Sequence, residues 1–315
     1  MKKPWLTYAL ITTAFWGVWG AFAEFPTRHG FPETLVYVVW ALTMIPPAIY
    51  AMQRAGWRVL RDRKSMVLGA LIGFTGAGGQ MLLFHAVHTG PTYLIFPIIA
   101  LSPVITIALS MLFLKERVTR VGALGVVLAL IALPLFNYSP AGEADAVLAG
   151  AVLTDAASPG ASGLQGATWF LYALIILLAW GVQAYFMKLA NGTMDAENIF
   201  LYMTLTGLAL IPVALWMTDF GVPIEYGWQG PGLAAITQIL NAVGALTLVY
   251  AFRYGRALVV APLANAGAPM ITAIVSMIVL GAMPNAITVV AIALAFLAAA
   301  LLAIEPEEKL IEQPV

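Results

Sequence analysis

A stretch of 32 residues, Leu83 to Leu114, recurs from Leu248 to Leu280. At a spacing of 165 residues Leu83, Ala86, Gly90 and Pro97 fall on Leu248, Ala251, Gly255 and Pro262. After one inserted residue, Pro103, Ile105, Thr106, Ser110, Met111 and Leu114 fall on Pro269, Ile271, Thr272, Ser276, Met277 and Leu280. A further match, 164 residues apart, sets Trp16, Gly17, Val18 and Phe22 on Trp180, Gly181, Val182 and Phe186. The chain is an internal duplication, so its fold is one unit used twice. Both copies of the long stretch are apolar and carry prolines in mid-segment, where a water-exposed helix would break. In a bilayer such prolines are tolerated as kinks, because neighbouring groups re-satisfy the freed backbone.

Composition places the unit in lipid. The chain is 62% hydrophobic and 10% charged, against roughly 45 to 50% and about 25% in a soluble domain. Ten apolar segments have the length, about 17 to 24 residues, that crosses roughly 30 Å of hydrocarbon as a helix. They run from Leu6 to Ala23, Thr34 to Met52, Met66 to Val87, Thr92 to Leu114, Thr119 to Phe136, Thr168 to Met187, Asn198 to Thr218, Gly232 to Phe252, Ala257 to Leu280 and Asn285 to Ile304. The first reads as a retained span, since its apolar run is long and lacks a small-residue cleavage site. Residues 1–136 then form one five-helix repeat, 137–167 an external loop, 168–304 the second repeat and 305–315 a tail. The loop is rich in Ala, Gly and Ser, and either carries a short surface helix near Ala146 to Leu153 or none. Five is an odd number, so the second copy is upside down. The expected fold is all-α, ten transmembrane helices in two inverted five-helix repeats.

Basic residues set the expected orientation. With the N-terminus inside, fourteen fall on the inner side, among them Lys2, Lys3, Arg54, Lys115, Arg120, Lys188, Arg256 and Lys309, and only Arg28 lies outside. Such a bias supports the span count as well, because dropping one span would scramble every later loop. Both termini are expected in the cytoplasm of a cell whose inner (plasma) membrane holds the protein.

The tandem halves, the WGxxxxF pattern of the first and sixth spans, the Pro-bearing fourth and ninth spans, and LKERVT closing the fourth resemble the drug/metabolite transporter superfamily, specifically its EamA-type members. The resemblance covers Leu6 to Leu302. It implies ten helices, a central cavity between the halves, and export or exchange of small metabolites. One departure is visible. The acid of the LxxER-like end is Glu116 in the first half, whereas the second half reads LGAMPN, with Ala282 at that place. A gate or cap built on that acid could exist on one side only.

Polar groups inside spans must find a partner or line a wet cavity. The first and sixth spans supply Trp16, Trp19, Trp180, Gln183 and Tyr185; the third and eighth, Gln80, His85, Gln238 and Asn241; the fourth and ninth, Ser102, Thr106 and Asn265; the second and seventh, Tyr37, Trp40, Thr43, Tyr202 and Thr204. The fifth and tenth are nearly bare, so they lie at the periphery, where they are candidates for a homodimer contact. Trp16, Gln80, Trp180, Gln183, Tyr202, Asn241 and Asn265 are the candidate substrate-binding residues. For Ser102, Thr106 and Thr204 helix-to-helix stitching is the favoured reading. Asn265 and Gln183 fit either role. Glu24, His85, His88, Glu116 and Lys188 lie toward span ends and are the candidates for gating or coupling, with interfacial snorkelling the favoured reading of Lys188. Pro97, Pro103, Pro262 and Pro269 each free the carbonyl four residues earlier, at Tyr93, Ile99, Leu258 and Asn265. These are hinges and acceptors, or kinks healed by neighbours.

No catalytic constellation, metal-ligand spacing or nucleotide motif is present, so no cofactor, metal or nucleic-acid partner is expected. GAGG at Gly76 to Gly79 lies inside an apolar segment and fits close helix packing better than phosphate binding. The expected function is a secondary transporter of small organic metabolites by alternating access. The alternatives are an integral membrane enzyme acting on lipid and a passive solute channel. With no unpaired charge in the middle third of any span, the expected solute is neutral, zwitterionic or weakly cationic, such as an amino acid, nucleoside or amine.

Overall fold

The structure is a computed structural model that describes residues 3–89, 95, 98–136, 165–280 and 285–305, with the backbone alone for 84, 85, 87–89, 165–167 and 280. Pro97, Ala282, the 146–153 segment and the tail beyond Glu305 lie outside the described residues, as do the side chains of His85 and His88. Every regular element among the described residues is helical. Eight helical stretches are long and apolar enough to cross a membrane, and two shorter apolar ones, Ser102–Leu114 and Arg120–Phe136, accompany them.

The elements are α1 (Pro4–Phe22), α2 (Glu33–Thr43), α3 (Ile45–Arg54), α4 (Arg63–Thr89), α5 (Ser102–Leu109), α6 (Arg120–Phe136), α7 (Gln165–Asn191), α8 (Ala196–Ala209), α9 (Ile211–Met217), α10 (Leu233–Tyr254), α11 (Ala257–Leu280) and α12 (Ala286–Ala303). Proline explains why the second and seventh apolar segments are each two helices. Pro46 and Pro47 sit in the first turn of α3 and Pro212 in that of α9. There their missing amides have no intrahelical partner to lose. Thr side chains inside the spans bond back to the carbonyl one turn earlier, as Thr13 to Ala9 (2.8 Å) and Thr204 to Phe200 (2.9 Å). A hydroxyl is thereby satisfied without water.

Packing repeats as the sequence does. α1 lies against α10 and α11, and its counterpart α7 lies against α4 and α5. α2 packs on α10 as α8 packs on α4, and α6 and α12 pack on each other. At Gly17 the backbone of α1 comes so close to Ile271 of α11 that a Cβ would collide with that side chain. At Gly181, α7 makes the same approach to Ile105 of α5. Close approach is what a small residue allows between helices in lipid, where association relies on packing and interhelical hydrogen bonds. Thr272 Oγ1 donates to the Gly17 carbonyl (2.8 Å) and Thr106 Oγ1 to the Gly181 carbonyl (3.0 Å). The duplicated sequence is thus a duplicated set of contacts. Gly76 and Gly79 lie under Gln183 and Trp180, so the GAGG run serves helix packing. The largest buried cluster, with Met44, Ile72, Phe200, Val249 and Phe252, joins elements from both halves.

Candidate functional site

Mid-bundle polarity is built from indoles and amides. Trp16 Nε1 donates to the backbone carbonyl of Asn241 (3.2 Å), and Trp40 Nε1 donates to its side-chain oxygen (3.0 Å). Trp180 Nε1 donates to the Gly76 carbonyl (3.3 Å). Gly76 and Asn241 are 165 residues apart, the repeat spacing, so the two tryptophans are moored alike. Trp16, Trp40 and Asn241 come together as one group; Trp180 and Gln183 form another over Gly76. Gln80 and Gln183 are half-buried, and among the described residues neither side chain has a hydrogen-bond partner. Trp19 Nε1 is fully buried and also without one. At the 164-residue spacing Trp19 is the counterpart of Gln183, so the same position in both halves presents an unmatched polar group. A buried donor left unmatched costs about 1 to 3 kcal/mol.

Two of the candidate binding residues are placed differently. Asn265 is half-buried, with its Nδ2 bonded to the Ala261 carbonyl of its own helix (2.9 Å). Tyr202 sits apart from the amides: its hydroxyl donates to the Leu60 carbonyl in the α3–α4 connection (2.6 Å), and its ring covers Gly69. Depth along a helix can be counted from sequence, but the direction in which a side chain leaves it depends on packing.

The gate candidates separate by end. Glu24 is exposed and paired with Arg28 one turn on (2.8 Å), a surface contact. Glu116 is buried. Lys115 takes a left-handed backbone conformation (φ 54°) after the wide turn Ser110–Leu114, and this aims the next side chain at the start of α11. The Glu116 carboxylate there accepts from the amides of Ala257 (3.0 Å) and Leu258 (3.1 Å). An acid at a helix N-terminus satisfies orphan donors and meets the positive end of the helix dipole. Lys188 does not reach outward to solvent. Its ammonium donates to the Gly255 carbonyl (2.8 Å) and lies 4.0 Å from Glu116 Oε1.

A second buried acid, Glu305, caps α6. Its side chain accepts from the Thr119 amide (3.2 Å) and hydroxyl, and lies 3.5 Å from Arg256. Arg256 also donates to the Arg117 carbonyl (2.8 Å), and Lys3 Nζ donates to the carbonyls of Ala303 and Glu305 (2.8 Å each). Glu116, Lys188, Arg256, Glu305 and Lys3 therefore clasp one end of the bundle, drawing the two halves and both ends of the described chain together. Sequence reading singled out Glu116 and Lys188 but not Glu305, Arg256 or Lys3. The available signal was the first acid after the apolar tenth segment, Glu305, followed closely by Glu307 and Glu308.

Prolines in the fourth and ninth spans behave unlike one another. Pro103 stands at the start of α5, just after a turn at Ala100 and Leu101. Pro262 and Pro269 are both inside an unbroken α11.

A family model described as the EamA-like transporter family matches residues 3–138 and again 167–304. The chain belongs to the EamA-like transporter family. It is a multi-pass membrane protein of a family that transports small solutes. An uncharacterized protein of Methanocaldococcus jannaschii is 32% identical to it over 81 residues, which are 26% of this chain and 59% of that protein. The EamA-like chain thus spans about three fifths of that relative's length. A solved crystal structure superposes with a TM-score of 0.73 at 17% identity, covering 96% of both chains. At that identity the likeness is one of fold.

Proposed function

We propose that this EamA-like chain is a secondary transporter of small neutral, zwitterionic or weakly cationic organic solutes. It works by alternating access between two inverted five-helix halves, with both termini in the cytoplasm. The observation that carries the solute class is the separation of charge from the middle of the bundle. Trp16, Trp19, Trp40, Gln80, Trp180, Gln183 and Asn241 hold no ionisable group, while Glu116, Lys188, Arg256 and Glu305 are confined to the clasped end. An ion bound among amides and indoles would lack a counter-charge in a low-dielectric site. Indole faces attract a cation by about 2 kcal/mol or more when desolvated, and they offer an anion nothing comparable.

Trp19 and Gln183 are the groups a substrate would complete, since each is a donor without an acceptor. The clasp is the closed cytoplasmic gate in this reading, and transport requires its bonds to part. Reconstitution into liposomes with a panel of solutes tests the proposal. Saturable uptake is expected for amino acids, nucleosides or amines. Gln183→Ala and Trp19→Phe should each raise the half-saturation concentration about tenfold, the equivalent of roughly 1.4 kcal/mol, with the protein still folded. Robust saturable transport of a sugar phosphate or dicarboxylate would overturn the solute class.

A further inference from the structure

A groove of ≈ 410 Å³ lies between α1, α3 and α10, lined by Pro46, Pro47, Ile239, Val243 and Leu246 along its length and by Tyr8, Tyr50, Arg54 and Tyr250 at one end. Its origin is the proline pair. α2 packs on α10, but after the break at Met44 the α3 segment barely touches it. The two helices part, and the wedge between them stays open. Leu10, Ile236 and Tyr50, on the three surrounding helices, expose about half of their surface (49%, 51% and 54%). The groove therefore opens sideways onto a face that meets lipid in a membrane, apart from the Trp16–Trp40–Asn241 group.

Its length and its charge specify an occupant. Ile239 to Tyr250 is about 16 Å along a helix, roughly half of the about 30 Å hydrocarbon thickness, so the groove runs the depth of one leaflet. Tyr8 stacks on Tyr250 (centroids 5.0 Å apart) and on Tyr254 (5.9 Å), forming an aromatic shelf of the kind found at the membrane interface. Arg54 stands at that same end. Its guanidinium meets the Tyr50 hydroxyl at 3.5 Å and forms no ion pair among the described residues. Among the described residues no carboxylate lines the groove, and Glu197, beside it, is engaged by the Tyr250 hydroxyl at 2.7 Å.

We propose that this groove is a binding site for an anionic phospholipid, with one acyl chain along Pro46, Pro47, Ile239 and Val243 and the phosphate on Arg54. An apolar trough as long as a leaflet and open along its side suits a chain already dissolved in the bilayer. The unpaired guanidinium of Arg54 at the end of the trough then selects net negative charge. A zwitterionic lipid fills the trough equally well but brings its own cation to the guanidinium. An extra basic residue at headgroup level favours an anionic lipid by about fivefold.

The test uses the full chain, purified in detergent and equilibrated with equimolar dioleoyl phosphatidylglycerol and dioleoyl phosphatidylcholine. Retained lipid is then counted by native mass spectrometry. The parent is expected to keep phosphatidylglycerol about fivefold over phosphatidylcholine. Arg54→Gln should bring the two level, Arg61→Gln, an exposed cation in the connection before α4, should keep the preference, and Val243→Phe should lower retention of both lipids. The proposal fails if Arg54→Gln behaves as the parent does, or if Arg61→Gln loses the preference equally, which would mean diffuse surface charge. It also fails if Val243→Phe leaves lipid unchanged but turns a dimer into a monomer, which would assign the groove to a second copy. If Val243→Phe does not fold, the arginine pair alone decides.

Discussion

The fourth and ninth spans descend from one sequence, yet the described part of the fourth is two pieces meeting at Ala100 and Leu101, while the ninth is a single helix through two prolines. Side-chain contacts do not account for the difference. Thr106 and Thr272 hold corresponding carbonyls, of Gly181 and Gly17, and Ile105 and Ile271 cover those same two glycines. One anchoring residue does differ between the two sequences. The first amides of α11 are fixed by the buried carboxylate of Glu116, and at the place of that acid in the second half the sequence has Ala282. Proline removes one hydrogen bond wherever it sits. Whether the chain then breaks depends on how firmly the helix is anchored elsewhere. The ninth span is anchored at its start and remains whole.

The largest expected effect comes from removing that anchor. Glu116→Ala deletes the cap and leaves the Lys188 ammonium, 12% exposed, without its acid. Breaking a buried pair from one side costs about 3 to 5 kcal/mol, so thermal unfolding in detergent should shift down strongly, with Glu116→Gln falling between. An unchanged midpoint for Glu116→Ala would show that the cap is not what keeps α11 intact. The prolines come next. Pro269→Ala restores an amide to a helix already continuous and should raise the unfolding midpoint, with an upper bound of about 3 kcal/mol. Pro103→Ala should instead mend a joint and slow solute exchange several-fold. If the two variants slow exchange equally, the copies are mechanically alike and the contrast drawn above fails.

The smallest effect gives the reference for an exposed cap. Asp62 accepts from the Ser65 amide at the start of α4 (3.0 Å). The Ser65 hydroxyl and then its amide hold the Asp62 carboxyl below the usual carboxylate range. A depressed pKa stabilises the folded state above the ordinary value of about 3.9, and that contribution fades as pH falls below it. Ser65→Ala should raise the Asp62 pKa in a titration followed by NMR, with little change in unfolding midpoint at neutral pH. A midpoint loss as large as that of Glu116→Ala would mean that burial adds nothing to a cap.

Much of this was legible in the sequence because lipid imposes a strict rule. Apolar runs interrupted by Gly and Pro must be helices, and two copies of one run must make equivalent contacts, as Trp16 and Trp180 do. The family followed from the same features, whereas the packing of the fifth and tenth spans on each other did not. What stayed hidden depends on direction around a helix axis. Tyr202 has the right depth for a substrate contact but turns to Leu60, and Trp40, absent from the candidate binding residues, bonds Asn241. Glu305 was invisible because its partner, Thr119, is 186 residues away in the chain, and no periodicity links a helix end to a distant helix start. Helix breaks at Met44 and Leu210 were written in Pro46, Pro47 and Pro212, but the apolar run across each of them concealed the interruption.

The seat of α1 also sets an order of assembly. Its partners Asn241, Gly244, Ile271 and Thr272 belong to α10 and α11, so during synthesis α1 waits for more than 200 residues before these neighbours exist. Until then the Trp16 indole has no Asn241 carbonyl and Gly17 faces no Ile271. At roughly 5 to 20 residues per second, that interval is on the order of ten seconds or more, spent in lipid by an unpaired helix. The packing of α1 is consequently completed only when the second half of the chain is made, so the two halves finish folding as one unit.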